Sequence, residues 1–386
     1  MNDVSILFPL PSTADGSSDL LAPSASGARG PLLPSALYST VGPITGSTPF
    51  SPPDGGSFEL VAAYADLRVV AMRLDPCFAS LAPDPHGVGC TAQLRLILQE
   101  VRAPSSGSGA PQAFDSALHV FYSLTRQELL DLGRALVALR VANANGASLG
   151  PLAPHPIMVS QGLGGAMTQG VEALILQYAG VQNLIHTAQL SSTLNELGSS
   201  WTMSAFDVAN AGTTVTAFAI PTLVQDAGAV ALQTVSSRVA NPGSFSGADF
   251  EPATTSADNL TPLDDGMPTA LGTSQVQAAF DSLVRIENPR DDSPNTIDCA
   301  SCHVVTLTED LVAMPLFSLD DTTSALAFVP DGKTVLAADM IPTAGTGAAE
   351  SIDIHAFSYI GQSPNINQRV VNETAAVVEY LNDLPQ

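Results

Sequence analysis

The sequence predicts an α+β protein in which a β-rich N-terminal region is followed by a mainly helical one. Three patterns carry that reading. From Phe58 to Tyr122 apolar residues alternate with polar ones or gather in short runs, as half-buried strands require. Helical spacing enters after Thr125-Arg-Gln-Glu128 and returns beyond residue 268. The chain has 386 residues, 45% of them apolar, enough for two domains with a sizeable core.

Residues 1–56 are rich in Pro, Gly and Ser, as in Ser51-Pro-Pro-Asp-Gly-Gly56, and are expected to form an extended arm. Residues 57–255 read as a β-rich α+β domain of unknown role. Its expected strands cover 58–64, 67–74, 92–98 and 118–122, and Leu94, Leu96 and Leu98 alternate with Gln93 and Arg95. Thr125 and Glu128 have the spacing of a capping box for a helix running to about Arg140. Leu129, Leu132, Leu136 and Leu139 fall on one face of it. A second helix is expected over 168–178, a strand pair over 201–220 and a further strand over 229–235.

The polar, turn-rich stretch 251–268 contains the expected boundary, at 256–268. In the last region, 268–386, Thr273 or Ser274 is expected to cap a helix reaching Ile286, with Val276, Phe280 and Leu283 on its apolar face. A final helix over 372–384 places Ala376, Val377, Tyr380, Leu381 and Leu384 together.

Charge disfavours several partners. Acidic residues number 37 against 13 basic ones, and the net charge is −24. Such a surface repels phosphate, so nucleic acid and anionic membrane are poor partners. No apolar run reaches the roughly 20 residues of a membrane-spanning helix. Met1-Asn-Asp-Val lacks the basic start of a secretory leader, yet the scarcity of Lys fits an exported protein. Met1 is therefore read as standing where a signal peptide is missing.

The four cysteines form two pairs. Cys299-Ala-Ser-Cys302-His303 is C-x-x-C-H, the attachment sequence of a c-type haem. On a helical turn, residues three apart share a face, so both thiols reach the two vinyl groups of one porphyrin. The adjacent imidazole is then offered to the iron. Three other readings compete: a zinc site, which lacks a second C-x-x-C; a thioredoxin-like redox pair, which lacks the preceding strand; and buried structural thiols. Cys77 and Cys90 flank a Pro- and Gly-rich loop. A disulfide closing it would contribute about 3 kcal/mol and would imply an oxidising compartment. Two free buried thiols are the alternative.

Residues 290–386 resemble a small monohaem c-type cytochrome, with C-x-x-C-H at 299–303 and Ala375-Ala-Val-Val-Glu-Tyr380-Leu381 similar to the family's final helix. The resemblance implies a cytochrome c-like haem domain over 268–386 and one covalent haem c held by Cys299 and Cys302. It also implies His303 as proximal iron ligand and one-electron transfer as the activity. There a Tyr-Leu pair packs near the haem. The acidic surface suits a redox partner protein with a basic surface, held less tightly as salt rises.

The family's sixth ligand is commonly Met. Met314-Pro315 lies too near the motif, leaving His355 as the leading candidate and Met340 as the alternative. An open sixth position would instead suit a haem peroxidase or oxidase. A third possibility is an exported surface or binding protein whose haem is structural or absent. His86, His119, His155 and His186 show no metal-ligand spacing. Asp291-Asp292 and Asp320-Asp321 have calcium-binding chemistry but read as solvated surface.

Overall fold

The computed structural model describes residues 1–13, 16, 19–41, 64–77, 91–102, 109–144, 150–195, 198–225, 228–229, 232–239, 245–264, 268–330 and 354–383. The chain is α+β, built on one large antiparallel sheet. Its strands are β1 (Ser5–Leu7), β2 (Leu67–Asp75), β3 (Ala92–Arg102), β4 (Gln112–Leu124), β5 (Leu184–Asn195), β6 (Gly198–Ala209), β7 (Thr214–Ala217), β8 (Leu232–Val239) and β9 (Phe245–Glu251). They run in the order β1-β2-β3-β4-β5-β6-β8-β9. β7 shares the outer edge of β6 with β8, pairing Phe206–Ala209 while β8 pairs Ser199–Ser204.

Alternation sorts each strand between two faces. On the first face Leu94, Leu96 and Leu98 meet Leu118, Val120 and Tyr122 in one apolar core. It is covered by α1 (Arg126–Asn143) and α2 (Ala166–Tyr178). The capping box of α1 is complete: Glu128 N–H donates to Thr125 Oγ1 at 3.2 Å, and Thr125 N–H donates to Glu128 Oε2 at 2.8 Å. Leu129, Leu132 and Leu136 turn inward as their spacing requires.

The second face carries α3 (Thr273–Glu287), α4 (Cys299–Thr308) and α5 (Gln368–Asp383), which pack on one another. Hydrophobic contacts cross the expected 256–268 boundary. Trp201, Met203, Val235 and Phe250 of the sheet share a core with Leu260, Phe280, Leu283 and Val305. The hairpin of β10 (Phe357–Ile360) and β11 (Ser363–Ile366) is fastened to the sheet by buried Gln99. Its amide donates to Tyr359 O at 2.9 Å and accepts from Tyr359 N–H at 3.0 Å.

Some boundaries differ from expectation. The N-terminal stretch is tied into the sheet: β1 pairs with β2, and Val4, Ile6 and Phe8 join the first core. Burying that apolar run offsets the entropy of ordering a Pro- and Gly-rich segment. The helix α3 is capped at Gly272, whose N–H donates to Gln275 Oε1 at 3.1 Å, and Thr273 is its first residue. The expected strand at 58–64 lies outside the described residues apart from Tyr64, which opens a short 3₁₀ turn. Leu384 is also outside them. Among the described residues, no helix is long and apolar enough to cross a membrane.

Candidate functional site

The first turn of α4 holds the C-x-x-C-H segment against the sheet. Asp298 caps the helix, accepting from Ser301 N–H at 3.0 Å. Gln233 of β8, fully buried, grips the same turn twice. Its amide donates to Asp298 Oδ2 at 2.7 Å, and its carbonyl accepts from Ala300 N–H at 2.8 Å. The preceding loop is held by Arg369 of α5, whose guanidinium donates to Ile286 O and to Asp292 O. The turn is thus fixed from both sides before any ligand arrives.

Cys299, Cys302 and His303 all line one cavity of about 240 Å³ between α4 and the second face of the sheet. Cys299 and Cys302 are free thiols. Burial pushes both up from the ordinary thiol range, with Asp298 adding to the effect at Cys299. A reactive redox dithiol has the opposite signature, a lowered pKa in an electropositive setting. Among the described residues the one convergence of three potential metal ligands is Glu287, Glu309 and Asp321, so a zinc site at the two thiols has no geometric support.

His303 is fixed by its Nδ1, 2.7 Å from the carbonyl oxygen of Ile354. Burial lowers its pKa to about 4, against the opposing pull of that hydrogen bond. The ring is therefore neutral near pH 7, with Nδ1–H donated to Ile354 and the lone pair left on Nε2. This is how a metal-ligating histidine is oriented.

The facing wall comes from alternate residues of the central strands. Phe121 and His119 of β4, His186 of β5, and Met203 and Ala205 of β6 line it. His186 is wedged between Phe121 and Phe218, at centroid distances of 4.9 and 4.5 Å, and its Nδ1 lies 3.3 Å from Asp207 Oδ1. The His119 ring stands 6.3 Å from that of His303, centroid to centroid, at 69°. Burial, then His303, lowers its pKa well below the usual value, so it too is neutral. Nothing in the spacing of the sequence marked His119, because a strand far upstream brings it here.

Three arginines, Arg73, Arg95 and Arg369, reach the same cavity. Arg73 and Arg95 pair with Glu373 at 3.0 and 3.7 Å, and Arg95 also pairs with Asp75. Burial works to raise the pKa of Glu373. Arg73, Arg95 and Arg369 outweigh it and hold the carboxyl well below its ordinary value.

Other expected site residues are placed differently. His355 is buried with its ring 5.7 Å from Trp201 and is not part of the cavity lining. Its neighbour Ile354 sits at Nδ1 of His303, on the side away from Nε2. Met340 and Cys90 lie outside the described residues. Cys77 is disulfide-bonded and borders the cavity. Tyr380 and Leu381 pack on the first core, while Arg369, Val370 and Glu373 are the residues of α5 that reach the cavity. Asp292 and Asp321, expected on the surface, are both buried. No family model, curated protein or solved structure matches the chain.

Proposed function

We propose that the chain is an exported monohaem c-type cytochrome that transfers single electrons, with one haem bound covalently. Cys299 and Cys302 would carry its thioether links and His303 would ligate the iron. The observation that carries this reading is the convergence of both thiols and a neutral, Nδ1-anchored imidazole on one cavity. The donor set fits the group: two thiols three residues apart, a nitrogen with an available lone pair, and aromatic and aliphatic walls. Bound there, haem supplies a one-electron iron couple.

The chain's own residues account for orientation and charge. Gln233 and Asp298 hold the attachment turn, and Ile354 fixes the tautomer of His303. In a chain of net charge −24, the three arginines at the cavity carry more charge than Glu373 and Asp75 neutralise, which suits the carboxylates of a porphyrin. The disulfide at Cys77 fits an oxidising compartment. The mutually packed α3, α4 and α5 support a cytochrome-like helical region built onto the sheet. The acidic surface fits a basic redox partner.

The test is a pyridine haemochrome assay and a reduced-minus-oxidised spectrum on protein exported with haem-maturation machinery. One covalent haem per chain is expected. Its absence under those conditions, with the protein folded, overturns the proposal.

A further inference from the structure

Resting on the haem c reading above, we propose that His119 is the second axial ligand of the iron, completing bis-histidine ligation with His303. Two imidazoles bonded through nitrogen at about 2 Å to opposite sides of one metal ion have ring centroids about 6 Å apart. The observed separation is 6.3 Å. A direct hydrogen bond between the two rings would draw the centroids to about 5 Å, because N–H···N spans about 3 Å. Neither ring nitrogen of His119 makes a hydrogen bond among the described residues, although the side chain borders the cavity.

The ring is also aimed by its strand. Leu118 and Val120, on either side of it in β4, are buried in the first core, so alternation turns His119 to the second face. Pairing with Ile97 and Ala188 on both flanks fixes its height along that face. His119 is thus held on a rigid central strand, opposite a histidine held by its own hydrogen bond. Two other imidazoles are engaged elsewhere: His186 lies between two phenylalanines and beside Asp207, and His355 lies against Trp201.

Two consequences follow. Bis-histidine iron sits at a lower potential than histidine–methionine iron. With both axial positions taken, oxygen or peroxide has no open coordination site, which favours electron transfer over peroxidase chemistry. The haem would also join α4 to the sheet, coupling the attachment segment to a region with no cytochrome-like sequence.

The experiment uses the exported holoprotein, its covalent haem first counted by the haemochrome assay. Electron paramagnetic resonance and near-infrared magnetic circular dichroism are expected to show low-spin, bis-imidazole iron in the wild type. In His119→Ala the iron is expected to become high-spin, to bind added cyanide at least tenfold faster, and to return to low spin with added imidazole. His119→Met is expected to raise the potential, and His355→Ala to leave the spectrum unchanged. No covalent haem in the wild type overturns the haem reading and this one together. Covalent haem with an unchanged spectrum in His119→Ala overturns His119 alone. A methionine–iron band in the wild type does the same without any variant, and would point to Met203 on the same wall or to Met340.

Discussion

The two faces of the sheet are built from the same strands and do opposite work. In β3 and β4, Leu94, Leu96, Leu118 and Val120 point to one side and close an apolar core against α1 and α2. One residue along, Arg95, His119 and Phe121 point to the other side and line the cavity. The strand period of two lets one backbone carry both sets without compromise. The core face is stabilised chiefly by apolar burial. The cavity face also carries polar groups, several of them held by fixed partners, as at Gln99, Gln233 and the Arg73–Glu373 pair.

If the faces are independent in this way, disrupting one should leave the readout of the other intact. The largest effect is expected from Leu96→Ala on the core face. Removing this fully buried side chain should cost about 2–5 kcal/mol by denaturant unfolding. The spectrum of the proposed haem in the folded fraction should stay unchanged, and a changed spectrum would break the comparison.

On the cavity face, Glu373→Gln removes the carboxylate that Arg73 pairs with and leaves Arg95 with Asp75 alone, an expected loss of about 3 kcal/mol near pH 7. The pH dependence has a definite sign. The folded pKa of Glu373 is depressed, so its contribution is present above the unfolded value of 4.5 and lost as pH falls below it. Wild type should therefore lose stability on acidification more steeply than Glu373→Gln; parallel acid limbs would contradict the assignment.

Near α4, Glu287, Glu309 and Asp321 are also buried together, and the charges that act on Glu287 and Glu309 are those of other carboxylates. Burial, then Asp321, raises Glu309 to about 8, and burial, then Glu309, raises Glu287 well above its usual value. Raised carboxyl pKa values give stability that is full below pH 4.5 and lost as pH rises towards 8. Glu287→Gln should thus stabilise the protein at pH 8 by about 1–2 kcal/mol and flatten that slope. Thermal unfolding across pH 4 to 8 measures both effects. Glu373 and Glu287 are both buried, and only their neighbours send them in opposite directions.

The smallest effect belongs to neither face. Arg290 is largely exposed where it meets Glu379 at 2.9 Å. Arg290→Ala should cost less than about 1 kcal/mol, and less still at high salt. A loss comparable with that of Glu373→Gln would mean that exposure does not separate the two pairs.

What was legible in the sequence was local. Thr125 and Glu128 announce the start of α1 because both partners of the capping box lie within one turn. Leu94, Leu96 and Leu98 announce a half-buried strand for the same reason. Cys299, Cys302 and His303 are adjacent on one turn, so their joint arrival at a cavity wall needs only that the turn form. The packing of β1 was not legible, since Ser5–Leu7 is a strand only through its pairing with Met72 and its neighbours. Nor was Gln233, whose two hydrogen bonds to the C-x-x-C-H turn cross from the sheet to α4.

The sequence by itself determined the α+β class, the acidic composition and the C-x-x-C-H grouping of Cys299, Cys302 and His303. Those depend on composition and on residues within a few positions of one another. Only the tertiary structure decided what stands opposite the triad. It set His119 across from His303, drew Arg73 and Arg95 to the rim, and turned His355 against Trp201. Strand pairing between distant segments chooses these neighbours, and the energy that selects the register comes from the leucines on the other face rather than from the cavity residues themselves.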